Sequence, residues 1–323
     1  SYLPKERAAF IGKEEQLRPI IQELKKDQLG FKISFLLDPF SPQNKDVDGV
    51  PIFKKTEDLH RLISKKHINT LVLAVDPTFS EELRNSLFSS LHLKVDFISL
   101  PQFYENITGK IPLQLIDQTW FLQNLSEGKK TYFDIFKRMY DLVLATIILV
   151  ITLPLWALIA ISIKTTSRGP VFFKQTRAGQ YGTPFKMIKF RTMTTENNDH
   201  SPTQQKDDRI TRVGSFLRKT RLDELPQMIN VIKGEVSFVG PRPERPELIR
   251  QLEQGIPFYR ERMLVKPGIT GWDQISGEYH SPTPEDTWKK LQYDLFYIKN
   301  RSLYLDLSII LKTIATVISK AGR

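Results

Sequence analysis

The sequence predicts an α/β N-terminal half built on a Rossmann-like parallel sheet. A mainly α (α+β) half attached to a membrane follows it. Three observations carry this expectation. Strand-like apolar runs alternate with amphipathic helical runs over residues 1 to about 100. A 22-residue segment without a charge, Leu142 to Ile163, follows near mid-chain. Directly after it, Lys164 to Arg221 holds thirteen Lys/Arg against four Asp/Glu, a net of +9 in a chain whose total is +11.

The N-terminal elements read in order. AAFIG (8–12) is a short apolar run ending in Gly, and EEQLRPIIQELKK (14–26) spaces Leu17, Ile20, Ile21 and Leu24 as one helix face. FKISFLL (31–37) is strand-like, EDLHRLISKK (57–66) helical and NTLVLAV (69–75) a buried-type strand. SEELRNSLFSSL (80–91) reads as helix and KVDFISL (94–100) as strand. A Rossmann-like sheet invites a dinucleotide, but the first turn, IGKEEQL, has Gly12 alone where G-x-G-x-x-G is needed. Glu14 and Glu15 would also set negative charge beside a pyrophosphate. A structural, oligomerising or sensing role fits this half better.

Residues 101–131 carry few signals, and LSEGKKTY (125–132) is a plausible linker. The division expected is therefore 1–128 and 129–323. The apolar segment comes next. As one helix it would extend about 33 Å, enough to cross a bilayer core. Pro154 near its middle removes a helix hydrogen bond, and Lys137, Arg138, Lys164 and Arg168 put positive charge on both flanks. A re-entrant helix–break–helix hairpin over 136–164, entering and leaving by one face, satisfies both facts. A spanning helix and a buried core helix are the alternatives. Thr152 is the nearest hydroxyl that could meet carbonyls freed at the break.

Beyond the hairpin, GPVFFKQTRAG and GTPFKMIKFRTM (169–193) look like short strands around glycines. TTENNDHSPTQQKDD (194–208) reads as a polar loop. DRITRVGSFLRKT (208–220) and ELPQMINVIKG (224–234) have helical spacing, the second ending at Gly234.

Composition excludes several chemistries. The chain has no cysteine, so disulfides, thiolate metal sites and cysteine nucleophiles are out. Its five histidines are scattered without metal-ligand spacing. The chain begins at Ser1 rather than Met and shows no signal peptide, which is compatible with further sequence upstream. The basic block prefers phosphate-bearing partners, whether nucleotides, nucleic acid or an anionic membrane surface. A nucleic-acid module would explain the charge but not the apolar run.

The residues that could carry chemistry lie around TRLDELPQ (220–227). Asp223 and Glu224 follow a run of basic residues. Thr220, three positions before Asp223, suggests a capping box at a helix start. The same two carboxylates could serve as nucleophile and metal ligand at one small site. A carboxylate attacking a diphosphate must overcome like-charge repulsion, which Mg²⁺ and nearby arginines reduce. Alternation places Lys189 and Arg191 of KMIKFRTM on one strand face, suited to clamping phosphates. VGPRPERPE holds Arg242 and Arg245 on a proline-stiffened backbone, and KPGITGWDQISG could line a pocket or merely turn.

Taken in order, the Pro-kinked hydrophobic hairpin, GPVFFKQTRAG, PFKMIKFRTM, RLDELPQMINVIKGEVSFVGPRPE and KPGITGW resemble the bacterial sugar transferase family over about residues 132–323. These are monotopic polyprenyl-phosphate sugar-1-phosphate transferases (phosphoglycosyl transferases). The N-terminal part resembles the degenerate nucleotide-binding-type domain of larger members, in which a four-helix membrane bundle usually precedes it.

The resemblance implies transfer of a sugar-1-phosphate from a UDP-sugar to undecaprenyl phosphate, with release of UMP, at the start of exopolysaccharide, capsule or O-antigen (lipopolysaccharide) synthesis. It implies Mg²⁺ and a covalent aspartyl-phosphosugar intermediate. By motif match Asp223 is the nucleophile and Glu224 the metal-binding carboxylate. Lys189, Arg191, Arg221, Arg242 and Arg245 take phosphate or membrane-interface roles, and Pro154 breaks the re-entrant helix. The family's usual Ser-Pro at that bend reads Leu153-Pro154 here. The implied location is the cytoplasmic face of a bacterial inner membrane, against anionic lipids, with no nucleic-acid partner. A homodimer through the N-terminal half is a further expectation, and the sugar is not legible.

Overall fold

The computed structural model describes residues 6–26, 31–40, 46–76, 80–125, 130–194, 207–276 and 283–319. The chain divides into two compact units, Ser1–Ile116 and Asp117–Arg323. The expected boundary at 128 and most of the 194–208 segment lie outside the described residues.

Unit 1 runs β1 (Glu6–Ile11), α1 (Glu14–Lys26), β2 (Phe31–Leu37), β3 (Asp46–Val47), β4 (Val50–Phe53), α2 (Leu59–Lys66), β5 (Thr70–Leu73), α3 (Glu81–Ser89), β6 (Asp96–Ser99) and α4 (Leu100–Thr108). The sheet order is β3-β4-β2-β1-β5-β6, parallel throughout except for β3 against β4. Alternation along β1 divides the core. Ala8 and Phe10 join Leu17, Ile21 and Tyr104 on one face, while Ala9 and Ile11 join Leu59, Ile63 and Leu83 on the other. The β3–β4 hairpin is an addition to the expected pattern. Its turn is Asp48-Gly49, both at positive φ (49° and 78°), the Asp-Gly signal of a two-residue hairpin.

The helix start that would receive a pyrophosphate is met from within. Asp38, buried just past β2, accepts from the backbone N–H of Glu14 (2.8 Å) and of Phe40 (2.9 Å). Gly12 is needed for close packing, since a Cβ there would lie 2.7 Å from Cβ of Ala74.

Unit 2 contains α5 (Gln118–Asn124), α6 (Thr131–Thr166), the antiparallel pair β7 (Phe172–Ala178) and β8 (Pro184–Phe190), α7 (Arg212–Lys219), α8 (Gln227–Lys233), β9 (Ser237–Val239), α9 (Pro246–Gly255), β10 (Gly268–Thr270), α10 (Pro284–Asn300) and α11 (Leu303–Ile318). β9 and β10 pair in parallel.

α6 is long and apolar enough to cross a membrane. The sequence suggested two helices around a break. The structure instead has one 36-residue helix with Pro154 inside it. Thr152 does not meet the carbonyl that Pro154 frees, which is four residues back at Val150. Its hydroxyl donates to the Ile148 carbonyl at 2.7 Å and accepts from the Trp156 indole N–H at 3.2 Å. One stripe of α6 packs on the unit. Ala145, Ile148 and Leu149 meet Phe185, Met228 and Val231, and further along Trp156, Ile159 and Ile163 meet Phe190 and Leu217. The opposite face, including Val143, Ile147, Val150, Ile151, Leu158 and Ile161, is exposed. Near its start, Lys137 pairs with buried Asp306 of α11. Both ends of the apolar helix thus touch one folded body.

Candidate active site

Asp223 and Glu224 sit in a single 3-10 turn, Leu222–Glu224, between α7 and α8. Arg221 reverses the chain into that turn in the left-handed region, φ 57°. The capping box suggested for Thr220 does not form. Its hydroxyl donates backwards to the Phe216 carbonyl at 2.8 Å, closing α7 rather than opening the next turn. Leu222 and Leu225, flanking the carboxylates, pack into the cluster around Trp156, Ile159 and Ile163 of α6. α8 ends as the sequence indicates, at Gly234 with φ 81°.

The two carboxylates have different surroundings. Glu224 is 9% exposed, and its Oε1 accepts from Lys189 Nζ at 2.6 Å. Arg242 lies 3.7 Å and Arg221 3.9 Å from the same oxygen. Burial alone would raise the Glu224 pKa, but Lys189, Arg242 and Arg221 outweigh it and hold it at about 2. Asp223 is 8% exposed, and its buried Oδ1 has no hydrogen-bond partner among the described residues. Burial and then the Glu224 charge raise its pKa, with Lys189, Arg218 and Arg221 opposing. One carboxylate is held as an anion by cations; the other is left with an open oxygen in a desolvated setting.

Lys189 reaches Glu224 because β8 is clipped to α8. Asn230, fully buried, accepts from Ile188 N–H (3.1 Å) and donates to the Lys186 carbonyl (2.9 Å). Burial lowers the pKa of Lys189, against the pull of Glu224. The expected shared face of Lys189 and Arg191 is not formed. Arg191 falls one residue beyond β8 and turns to Ser167, donating from Nη2 to its carbonyl (2.8 Å) and hydroxyl (2.9 Å).

Arg242 is positioned by a buried ion pair. Arg262 donates from Nη2 to the Arg242 carbonyl (3.0 Å) and from Nε to Asp294 (2.9 Å). Glu244 takes Arg177 and Lys290, and the charges of Lys290 and Arg262 hold its pKa at about 2 against burial. Arg245 precedes α9 and, like Arg242, acts electrostatically on Arg177, while Arg242 also lies 3.7 Å from Glu224 Oε1. The basic run before the carboxylates includes Arg218, whose charge acts on Asp223 and whose Nε donates to Thr192 Oγ1 at 2.9 Å. Its spacing, five residues before Asp223 on the polar face of a short helix, was the available signal.

For a metal, the dyad supplies two adjacent carboxylates, and no group of three or more His, Cys, Asp or Glu joins them among the described residues. Mg²⁺ is commonly held by one or two carboxylates, with water and substrate phosphates completing its shell. The Glu224 carboxylate, beside Asp223, fits that pattern.

A family model described as bacterial sugar transferase matches residues 132–320. A UDP-N-acetylgalactosamine-undecaprenyl-phosphate N-acetylgalactosaminephosphotransferase of Aeromonas hydrophila is 39% identical over 225 residues, 69% of this chain and 52% of that protein. A UDP-glucose:undecaprenyl-phosphate glucose-1-phosphate transferase of Escherichia coli is 48% identical over 55% of this chain and 39% of its own length. One with that same description from Klebsiella pneumoniae is 33% identical over 96% of this chain and 67% of its length. The first of these relatives is thus spanned for about half its length. Among solved structures, a Rex-family repressor aligns over 41% of this chain at 12% identity with a TM-score of 0.27, too low to inform the argument. On the family match across residues 132–320, which contain the whole carboxylate–cation cluster, this chain belongs to the bacterial sugar transferase family.

Proposed function

We propose that this chain transfers a sugar-1-phosphate from a UDP-sugar to undecaprenyl phosphate, releasing UMP, through a covalent intermediate on Asp223. The asymmetry of the carboxylates is the observation that carries the reading: Glu224 pairs with cations through Oε1 while Asp223 keeps a buried oxygen without a hydrogen-bond partner among the described residues. In the first step that oxygen attacks the phosphorus bearing the sugar, and the bond to UMP breaks as UMP leaves. In the second, an oxygen of the lipid phosphate attacks the same phosphorus, and the Asp223 carboxylate leaves. Lys189, Arg221 and Arg242 neutralise the charge gathered around Glu224 and the diphosphate. Glu224 would hold Mg²⁺, which would supply further charge neutralisation.

The reading extends to placement. The chain acts from the cytoplasmic face of a bacterial inner membrane, with both ends of α6 held at that face. Support comes from Lys137 near one end of the apolar helix and Ile163 near the other, both engaged by unit 2. A crossing helix would have to carry those contacts to opposite sides of the bilayer. The basic block then faces anionic lipid, and the product begins an exopolysaccharide, capsule or O-antigen.

The test is UMP release by detergent-solubilised protein given Mg²⁺, undecaprenyl phosphate and a panel including UDP-glucose and UDP-N-acetylgalactosamine, the sugars in the relatives' names. No UMP from folded wild-type protein with any UDP-sugar would sink the reading. Wild-type turnover by Asp223→Asn would remove the nucleophile assignment alone.

A further inference from the structure

We propose that His60 and His92 of unit 1 bind a divalent transition-metal ion of the class of Zn²⁺, Ni²⁺ or Cu²⁺. The inference is independent of the transfer reading and of any Mg²⁺ at Glu224. The histidines are scattered along the sequence, and these two lie 32 residues apart. The fold brings them together, with Nε2 of His60 3.2 Å from Nε2 of His92. Their ring centroids are 5.1 Å apart and their planes are tilted by 35°. Two imidazoles on one tetrahedral ion, each bound at about 2.0–2.1 Å, set their nitrogens about 3.3 Å apart and their centroids about 5.2 Å apart. Two imidazoles sharing one proton head-on at the observed nitrogen separation would hold their centroids about 5.5 Å apart. The ring axes here converge instead, as they do on a common ion.

Packing on either side of each histidine sets this geometry. Leu59, next to His60 in the first turn of α2, is buried with Ile63 against Leu83 and Leu87 of α3. α3 closes at Ser90, whose hydroxyl donates to the Ser86 carbonyl at 2.8 Å. A 3-10 turn, Leu91–Leu93, then presents His92 to His60. Leu93 packs against the same apolar cluster, and Lys94, in the left-handed region at φ 54°, ends the turn. Because their backbones are already fixed, binding an ion orders little beyond the two side chains. Both histidines are exposed, so the ion would arrive from water. No third His, Cys, Asp or Glu joins them among the described residues, and water would complete the shell. Neutral imidazole suits Zn²⁺, Ni²⁺ and Cu²⁺, whereas Mg²⁺ and Ca²⁺ take oxygen ligands. The bound ion would tie α2 to the turn that follows α3 and stabilise unit 1 by mass action.

The experiment is equilibrium dialysis of Zn²⁺ and Ni²⁺ against the untagged full chain in detergent, with millimolar Mg²⁺ present to fill oxygen sites. Wild type is expected to take up about one ion per chain. His60→Gln and His92→Gln should each weaken that uptake about tenfold or more. Electron paramagnetic resonance of the Cu²⁺ form should show coupling to a pair of ring nitrogens, which either substitution reduces. Both positions are exposed, and circular dichroism checks that the variants fold; should one not fold, the other decides. Absence of uptake by wild type overturns the proposal. Equal uptake by wild type and the folded variants also overturns it, since the ion would then sit elsewhere. Uptake that depends on both histidines, in a chain that releases no UMP, would leave this site standing and reject the transfer reading alone.

Discussion

Lys189 Nζ lies 2.6 Å from Glu224 Oε1, and both side chains are largely withdrawn from water. Removing one partner of such a pair strands the other's charge. Lys189→Met should therefore destabilise the protein by about 2 kcal/mol, less than a lone buried pair because Arg242 and Arg221 remain. UMP release should fall by roughly a hundredfold. Thermal melts and initial rates check the two effects separately.

Glu224 gives a pH signature. Its pKa falls from 4.5 to about 2 on folding, so its contribution is present above pH 4.5 and is lost as pH falls through about 2. Glu224→Gln should lose on the order of 3 kcal/mol at neutral pH. The gap to wild type should close towards pH 2 in denaturant titrations. A constant gap across that range would contradict the assignment.

Asp223 has the opposite sign. Its folded pKa is raised, so the carboxyl favours folding fully below its unfolded pKa and loses that benefit as pH rises through the folded value. Asp223→Asn should be more stable than wild type at neutral pH. That advantage should vanish in acid, while UMP release is abolished. A stability gain with loss of function separates a functional carboxylate from a structural one.

Asn230 tests the positioning of Lys189. Asn230→Leu strips two backbone groups of β8 of their partner and should cost about 2–3 kcal/mol. Activity should fall further than the folded fraction does, because Lys189 loses its register against Glu224. Circular dichroism melts with rate measurements on the folded population distinguish the two.

Much of this was legible locally. Alternation in β1 and helical spacing in α1 anticipated which residues enter the two cores of unit 1, because each pattern depends on near neighbours alone. Asp223 and Glu224 stood out for the same reason. The support around them did not. Arg262 and Asp294 are 32 residues apart, and Asn230 meets Lys186 across 44, so only the fold brings them together. The strand face shared by Lys189 and Arg191 failed because β8 ends at Phe190, and alternation has no meaning past a strand's end. The hairpin reading of the apolar segment placed a break and a bend at Pro154, whereas the structure has one helix through it. Packing of Trp156 and Ile159 on unit 2 holds the helix continuous beyond it.

Leu222 and Leu225, on either side of the carboxylates, pack into the same apolar cluster as Trp156, Ile159 and Ile163 of α6. On the proposed reading, bilayer thickness and lateral pressure acting on the exposed face of that helix would be mechanical inputs to the spacing between Asp223 and its cations. The lipid composition of the host membrane would then set the rate without any lipid touching the carboxylate.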